Sequence, residues 1–121
     1  MSNPPISVSF EFFPPADAAA EAALWQTVER LQPFAPQYVS VTYGADGSTR
    51  DRTHALVRRL REGTALCAAP HLTCVGARRG EVLEIAQRYW DEGIRHIVAL
   101  RGDAPQGASG YTPHPEGFAY G

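Results

Sequence analysis

Apolar and polar residues recur along this chain with two different periods, and each change of period marks a new element. The first segment, Ser7-Val8-Ser9-Phe10-Glu11-Phe12-Phe13, alternates with period two. Ser7, Ser9 and Glu11 face one way, while Ile6, Val8, Phe10 and Phe12 face the other. This is a strand, and Pro14-Pro15 stops it because proline cannot donate to a ladder. Residues 17–32 change to helical spacing, with Leu24, Val28 and Leu31 on one stripe, Asp17 as the N-cap, and Pro33 and Pro36 closing the element. Tyr38-Val39-Ser40-Val41-Thr42-Tyr43 is β-branched and aromatic, a second strand. After the loop Gly44-Ala45-Asp46-Gly47-Ser48, a helix from about Thr49 or Asp51 puts Thr53, Leu56, Val57 and Leu60 on one face and stops at Gly63.

The third strand runs from Leu66-Cys67-Ala68-Ala69 through Pro70 to His71-Leu72-Thr73-Cys74-Val75. A proline inside it is expected to distort the pairing. Residues 80–92 form a third helix with Val82, Leu83, Ala86, Tyr89 and Trp90 as its buried side, ended by Gly93. Residues 94–100 read as a fourth strand, apolar apart from His96 and Arg95, and suited to a parallel sheet covered on both faces. The rest, 104–121, is loop rich in Pro and Gly. The order β-α-β-α-β-α-β without hairpin signals is that of an α/β protein with a parallel sheet and right-handed crossovers. Two architectures fit: a small doubly wound sheet, or the first half of a (β/α)₈ barrel. The whole barrel needs about 250 residues, and this chain has 121.

Composition narrows the class. A hydrophobic content of 44% with 20% charged residues is that of a water-soluble domain with a core. A net charge of −2 argues against nucleic acid as the main partner. No apolar run approaches the ~20 residues of a membrane span, and the N-terminus lacks the pattern of a signal peptide, so a cytoplasmic location is expected. Cys67 and Cys74, if on one strand, lie roughly 23 Å apart and form no disulfide with each other. His71 and Cys74 alone do not make a four-ligand metal set, so no metal is expected.

Candidate chemistry lies at the strand ends. Glu11, Thr42, His71 and Arg101 follow one another at intervals of 31, 29 and 30 residues, close to the length of one βα unit. In α/β folds ligands bind at the carboxyl ends of the strands, so these side chains should share one rim. Just beyond it, Gly102 lets backbone approach a ligand and Asp103 can accept from the N–H groups of a heterocycle. Two readings stay open for Glu11. Burial among Phe10, Phe12 and Phe13 would raise its pKa and make it a general acid. Pairing with Arg101 would make it structural. There is no dinucleotide fingerprint and no phosphate-binding P-loop.

Six segments, in this order and spacing, resemble the methylenetetrahydrofolate reductase family: Ser9-Phe10-Glu11-Phe12-Phe13-Pro14-Pro15, Val39-Ser40-Val41-Thr42-Tyr43-Gly44-Ala45, Arg50-Asp51-Arg52-Thr53, Ala69-Pro70-His71-Leu72-Thr73-Cys74, Gly93-Ile94-Arg95-His96-Ile97 and Ala99-Leu100-Arg101-Gly102-Asp103. The resemblance implies a parallel (β/α)₈ TIM barrel of which this chain holds the first four βα units. It further implies FAD as cofactor, NAD(P)H as reductant and reduction of 5,10-methylenetetrahydrofolate to 5-methyltetrahydrofolate, a step of one-carbon metabolism and methionine biosynthesis. By the same resemblance Glu11 is the acid that protonates the folate nitrogen as the five-membered ring opens, and Asp103 is the carboxylate that contacts folate near the flavin. Thr42, Tyr43, Ala45, His71, Arg101, Gly102, Asp103 and Tyr120 match flavin-contacting positions. A homo-oligomer is implied for the full-length form. An isolated half-barrel is expected to bind FAD weakly or not at all and to expose a sheet edge. A non-catalytic α/β module that binds a partner through that edge is the alternative.

Overall fold

The computed structural model describes residues 5–43, 50–104 and 107–121. Four parallel strands, β1 (Ser9–Phe12), β2 (Tyr38–Val41), β3 (Ala68–Thr73) and β4 (Val98–Leu100), lie side by side in sequence order. Between them run α1 (Ala18–Leu31), α2 (Arg50–Gly63) and α3 (Arg79–Asp91). Sequential order without strand reversal is what repeated right-handed βα crossovers produce.

The core takes only one face of the sheet. Phe12, Val39, Val41, Ala68 and Leu72 pack with Val28 of α1, Leu56, Val57 and Leu60 of α2, and Ile85 and Tyr89 of α3 in a single cluster. All three helices therefore pack against the same side. A doubly wound sheet would divide its helices between the two faces, so the described residues match a partial barrel and not that alternative. The opposite face carries Glu11, Ser40, His71 and Thr73, the polar half of each alternation.

Most local expectations hold. Asp17 caps α1, its carboxylate accepting from Ala20 N–H at 2.7 Å. Thr53, Leu56, Val57 and Leu60 are all buried. Pro33 does not end the chain's helical path; it opens a short 3₁₀ turn (Gln32–Phe34) that closes with Ala35 in the left-handed region. On α3 the buried side differs from expectation. Leu83 and Trp90 are 61% and 57% exposed, and Ile85 takes their place inside. Val82, Ile85, Ala86 and Tyr89 form the stripe that meets the sheet, and Leu83 and Trp90 lie on the neighbouring stripe.

The fourth strand is shorter than the apolar run suggested. Gly93, at φ +87°, donates its N–H to Trp90 O at 3.0 Å, and Ile94 donates to Tyr89 O at 2.9 Å. These two bonds are a Schellman ending, so Ile94 serves as the buried apolar plug of α3 and not as strand. Pro70 is fully buried within an unbroken β3. Cys67 O accepts from Val39 N, whereas Cys74 N donates to Leu100 O, so odd-numbered positions of β3 bond to β2 and even-numbered ones face β4. The N–H that Pro70 lacks would thus point toward β4, whose pairing begins only one residue later, at His71↔Val98. The expected distortion is absent because no ladder bond is asked of this position.

Residues 107–121 fold back along α3 and β4. Arg79 N–H donates to Glu116 O at 3.0 Å, Arg79 Nε to Gly117 O at 3.2 Å, and the Arg79 guanidinium lies over the Phe118 ring. Gly117 is pressed so closely on Ala77 O that a side chain there would collide with it.

Candidate functional site

A cleft of about 560 Å³ opens at the carboxyl ends of the four strands. Glu11 from β1, Thr42 and Tyr43 after β2, His71 and Thr73 from β3, and Arg101, Gly102 and Asp103 after β4 all line it. Its volume is within the range of ligand sites, roughly 300–1,000 Å³.

Register explains the meeting of Glu11 and His71. Glu11 pairs with Ser40, and Ser40 with Ala69, so only the small Ser40 side chain stands between β1 and β3 on the polar face, and His71 is the next same-face residue of β3 beyond the level of Glu11. Across that gap Glu11 Oε1 lies 3.3 Å from His71 Nε2, just beyond ordinary hydrogen-bond length. The partner expected for a structural Glu11 was Arg101, but the Arg101 guanidinium instead stacks 4.2 Å from the Tyr111 ring centre. Nor is Glu11 buried among its phenylalanines. Phe12 turns into the core, Phe13 is exposed, and the Glu11 side chain is 52% accessible. His71 is the enclosed member of the pair, its side chain 12% accessible. Burial pushes its pKa below the ordinary histidine value, against a smaller opposing pull from Glu11. The ring is therefore neutral at pH 7, able to donate from one nitrogen and accept at the other.

The second strand end is held from the helix side. Thr42 N–H donates to Phe12 O at 3.0 Å, and Thr42 O accepts from the buried Thr53 hydroxyl at 2.6 Å. Tyr43 is buried, and Arg50 Nε donates to its hydroxyl. Burial raises the Tyr43 pKa, with Arg50 opposing, so the phenol stays protonated in the neutral range. Beyond β4, Gly102 adopts φ +89°, a conformation that glycine takes without strain.

The sequence reading overlooked Thr73. Its hydroxyl lines the cleft, is buried, and has no hydrogen-bond partner. The signal was available, since Thr73 stands two residues beyond His71 and so shares its face. Ala45 lies outside the described residues. Tyr120 is not in the cleft; 79% exposed, it borders a separate apolar hollow with Leu72, Val82 and Leu83. Among the described residues, no three His, Cys, Asp or Glu side chains converge as a metal set, and no helix is long and apolar enough to cross a membrane.

Comparison with known proteins bears on what this rim belongs to. The sequence model of methylenetetrahydrofolate reductase matches residues 2–121. This chain belongs to the methylenetetrahydrofolate reductase family. It is 57% identical over 101 residues to the 5,10-methylenetetrahydrofolate reductase of Pectobacterium carotovorum subsp. carotovorum, covering 84% of this chain and 34% of that protein. It is 53% identical over 103 residues to that of Escherichia coli strain K12, covering 85% and 35%. A plant relative, methylenetetrahydrofolate reductase (NADH) 1 of Arabidopsis thaliana, is 32% identical over 111 residues, covering 92% and 19%. The chain thus spans about a third of the length of the bacterial methylenetetrahydrofolate reductases that it matches.

Proposed function

We propose that this chain contributes the first four βα units of a (β/α)₈ barrel that reduces 5,10-methylenetetrahydrofolate to 5-methyltetrahydrofolate, with FAD as cofactor and NAD(P)H as reductant. The observation that carries the reading is the common cleft. Seven positions expected from the family, Glu11, Thr42, Tyr43, His71, Arg101, Gly102 and Asp103, border one opening at the strand ends.

The residues present suit a flavin. A planar, heteroatom-rich ring needs donors and acceptors along a mostly apolar wall. Thr73 supplies a buried hydroxyl still lacking a partner. Arg101 has no acidic partner among the described residues and can meet a carbonyl or phosphate oxygen. Gly102 opens the backbone to close approach, and Asp103 can accept from a ring N–H. When bound, the flavin would supply the hydride taken from the nicotinamide and passed to folate.

Glu11 is assigned the proton. Opening the folate ring needs a proton on the departing nitrogen, delivered by a group that reaches the cleft. Glu11, half-exposed at its mouth, meets that requirement better than the buried Tyr43. His71 is the positioning residue: neutral and enclosed, its Nε2 can hold Glu11 Oε1 toward the cleft or share a proton with it. In the full-length form that continues through the remaining strands, Glu11→Gln should leave reduction of the flavin by the nicotinamide unchanged and abolish folate turnover. Stopped-flow absorbance for the two half-reactions checks this, and folate turnover surviving in the variant would remove Glu11 as the acid.

A further inference from the structure

A second chemical cluster sits at the opposite, N-terminal end of the sheet, away from the cleft. Cys67 immediately precedes β3 and shares the helix-free face with His71, four residues on. Its Sγ lies 3.2 Å from Nδ1 of His96, which approaches on the chain entering β4. The pair borders a pocket of about 320 Å³ with Arg61 of α2 and Arg95. His96 is exposed and Cys67 partly so.

The charges around this thiol have one sign. Arg61 has no acidic partner among the described residues and rests on Gly93, where any side chain would collide with its guanidinium. Arg95 stacks on Trp90 at 3.8 Å and donates to Trp90 O and Ile94 O. Register carried back one residue sets Tyr38 of β2 beside Cys67. No carboxylate lines the pocket. A thiol within reach of an imidazole, in a cationic and open recess, is the arrangement that reactive cysteines use.

We propose that Cys67 is a site of thiol–disulfide exchange with small anionic disulfides, with His96 as its proton acceptor and Arg61 as the anion contact. With the imidazole in its Nε2–H form, Cys67 gives its proton to Nδ1. The thiolate attacks one sulfur of the disulfide. The old S–S bond breaks, a new one joins Cys67 to that sulfur, and the second half leaves as a thiolate that takes up the proton. Cys67 is oxidised and the departing half reduced, so no further oxidant is required.

Cys74 is the internal comparison. It is buried, with Arg101 O, Tyr111 Oη and Tyr120 O within 3.5–3.8 Å of its sulfur. The test follows the folded 121-residue chain at pH 7 with dithiobis(nitrobenzoate), a dicarboxylate disulfide, and with neutral dithiodipyridine. One thiol should react fast, a phase that Cys67→Ser removes and Cys74→Ser keeps. His96→Ala should slow it about tenfold, less than an assembled enzyme base supplies because the pocket is open. Free imidazole should restore that rate, which a merely structural histidine would not allow. Arg61→Gln should lower the rate with the dicarboxylate relative to the neutral probe severalfold, a ratio insensitive to general loosening. With glutathione disulfide, mass spectrometry should find the mixed disulfide on the peptide carrying Cys67. A fast phase belonging to Cys74, a His96→Ala rate equal to wild type or deaf to imidazole, or an unchanged probe ratio in Arg61→Gln would each overturn the assignment.

Discussion

At the scale of single residues, His71 makes the clearest statement about pH. Its folded pKa lies below the unfolded value of 6.5 because the ring is enclosed. Between those two values the unfolded chain holds a proton that the folded chain does not, so stability falls as pH drops from about 6.5 toward the lower folded value. The urea midpoint should therefore decline between about pH 7 and pH 5.5, and decline less in His71→Gln. An equal decline in both proteins would show that the imidazole is not the group responsible. The polar rim to which His71 belongs was legible from period-two alternation and from the regular spacing of polar strand ends. Its partners were not. Glu11 meets His71 across Ser40 because of a three-strand register, and Arg101 turns to Tyr111, which arrives from ten residues downstream. Both depend on how distant segments stack, which no local pattern records.

Among the elements, the ending of α3 depends on one glycine. Gly93 combines a left-handed backbone with a guanidinium packed where a β-carbon would be. Gly93→Ala should destabilise the chain by about 1–2 kcal/mol, the cost of that backbone region for an L-residue. Chemical denaturation measures it, and a variant as stable as the parent would mean that the turn relaxes without loss. The sequence showed the helix and its stop but assigned Ile94 to the following strand, since an apolar residue after a glycine suits either role. The same limit applies to Leu83 and Trp90. Their size suggested burial, but only the neighbouring stripe faces the sheet. The helix was correct and its rotation was not, because rotation is set by the surface it packs on.

For the molecule as a whole, three helices cover one face of the sheet and the other face is only partly open, with Glu11 and Leu100 exposed and Ser40, Ala69 and Thr73 buried. The accessible surface is 7957 Å², against ~6,400 Å² for a compact monomer of this mass. Phe13, Leu83, Ile97 and Leu100 are among the exposed apolar residues, and among the described residues no further strand pairs with the outer side of β1 or β4. A polypeptide of these 121 residues alone should self-associate: its weight-average sedimentation coefficient should rise with protein concentration, and a constant value would show that these surfaces are tolerated by a monomer. Pro70 carries a consequence of another kind. Because it offers nothing to β4, the first half of β3 is bonded to β2 and the second half to β4, and the two seams barely overlap. The sheet can therefore open at β4 without disturbing β1 and β2, giving two cooperative units of unequal protection. In native-state amide exchange, Cys74, which donates to Leu100, should lose its proton well before Val39, which donates to Cys67. The expected outcome makes the strand end that brings Arg101 to the cleft easier to open than the seam between β2 and β3.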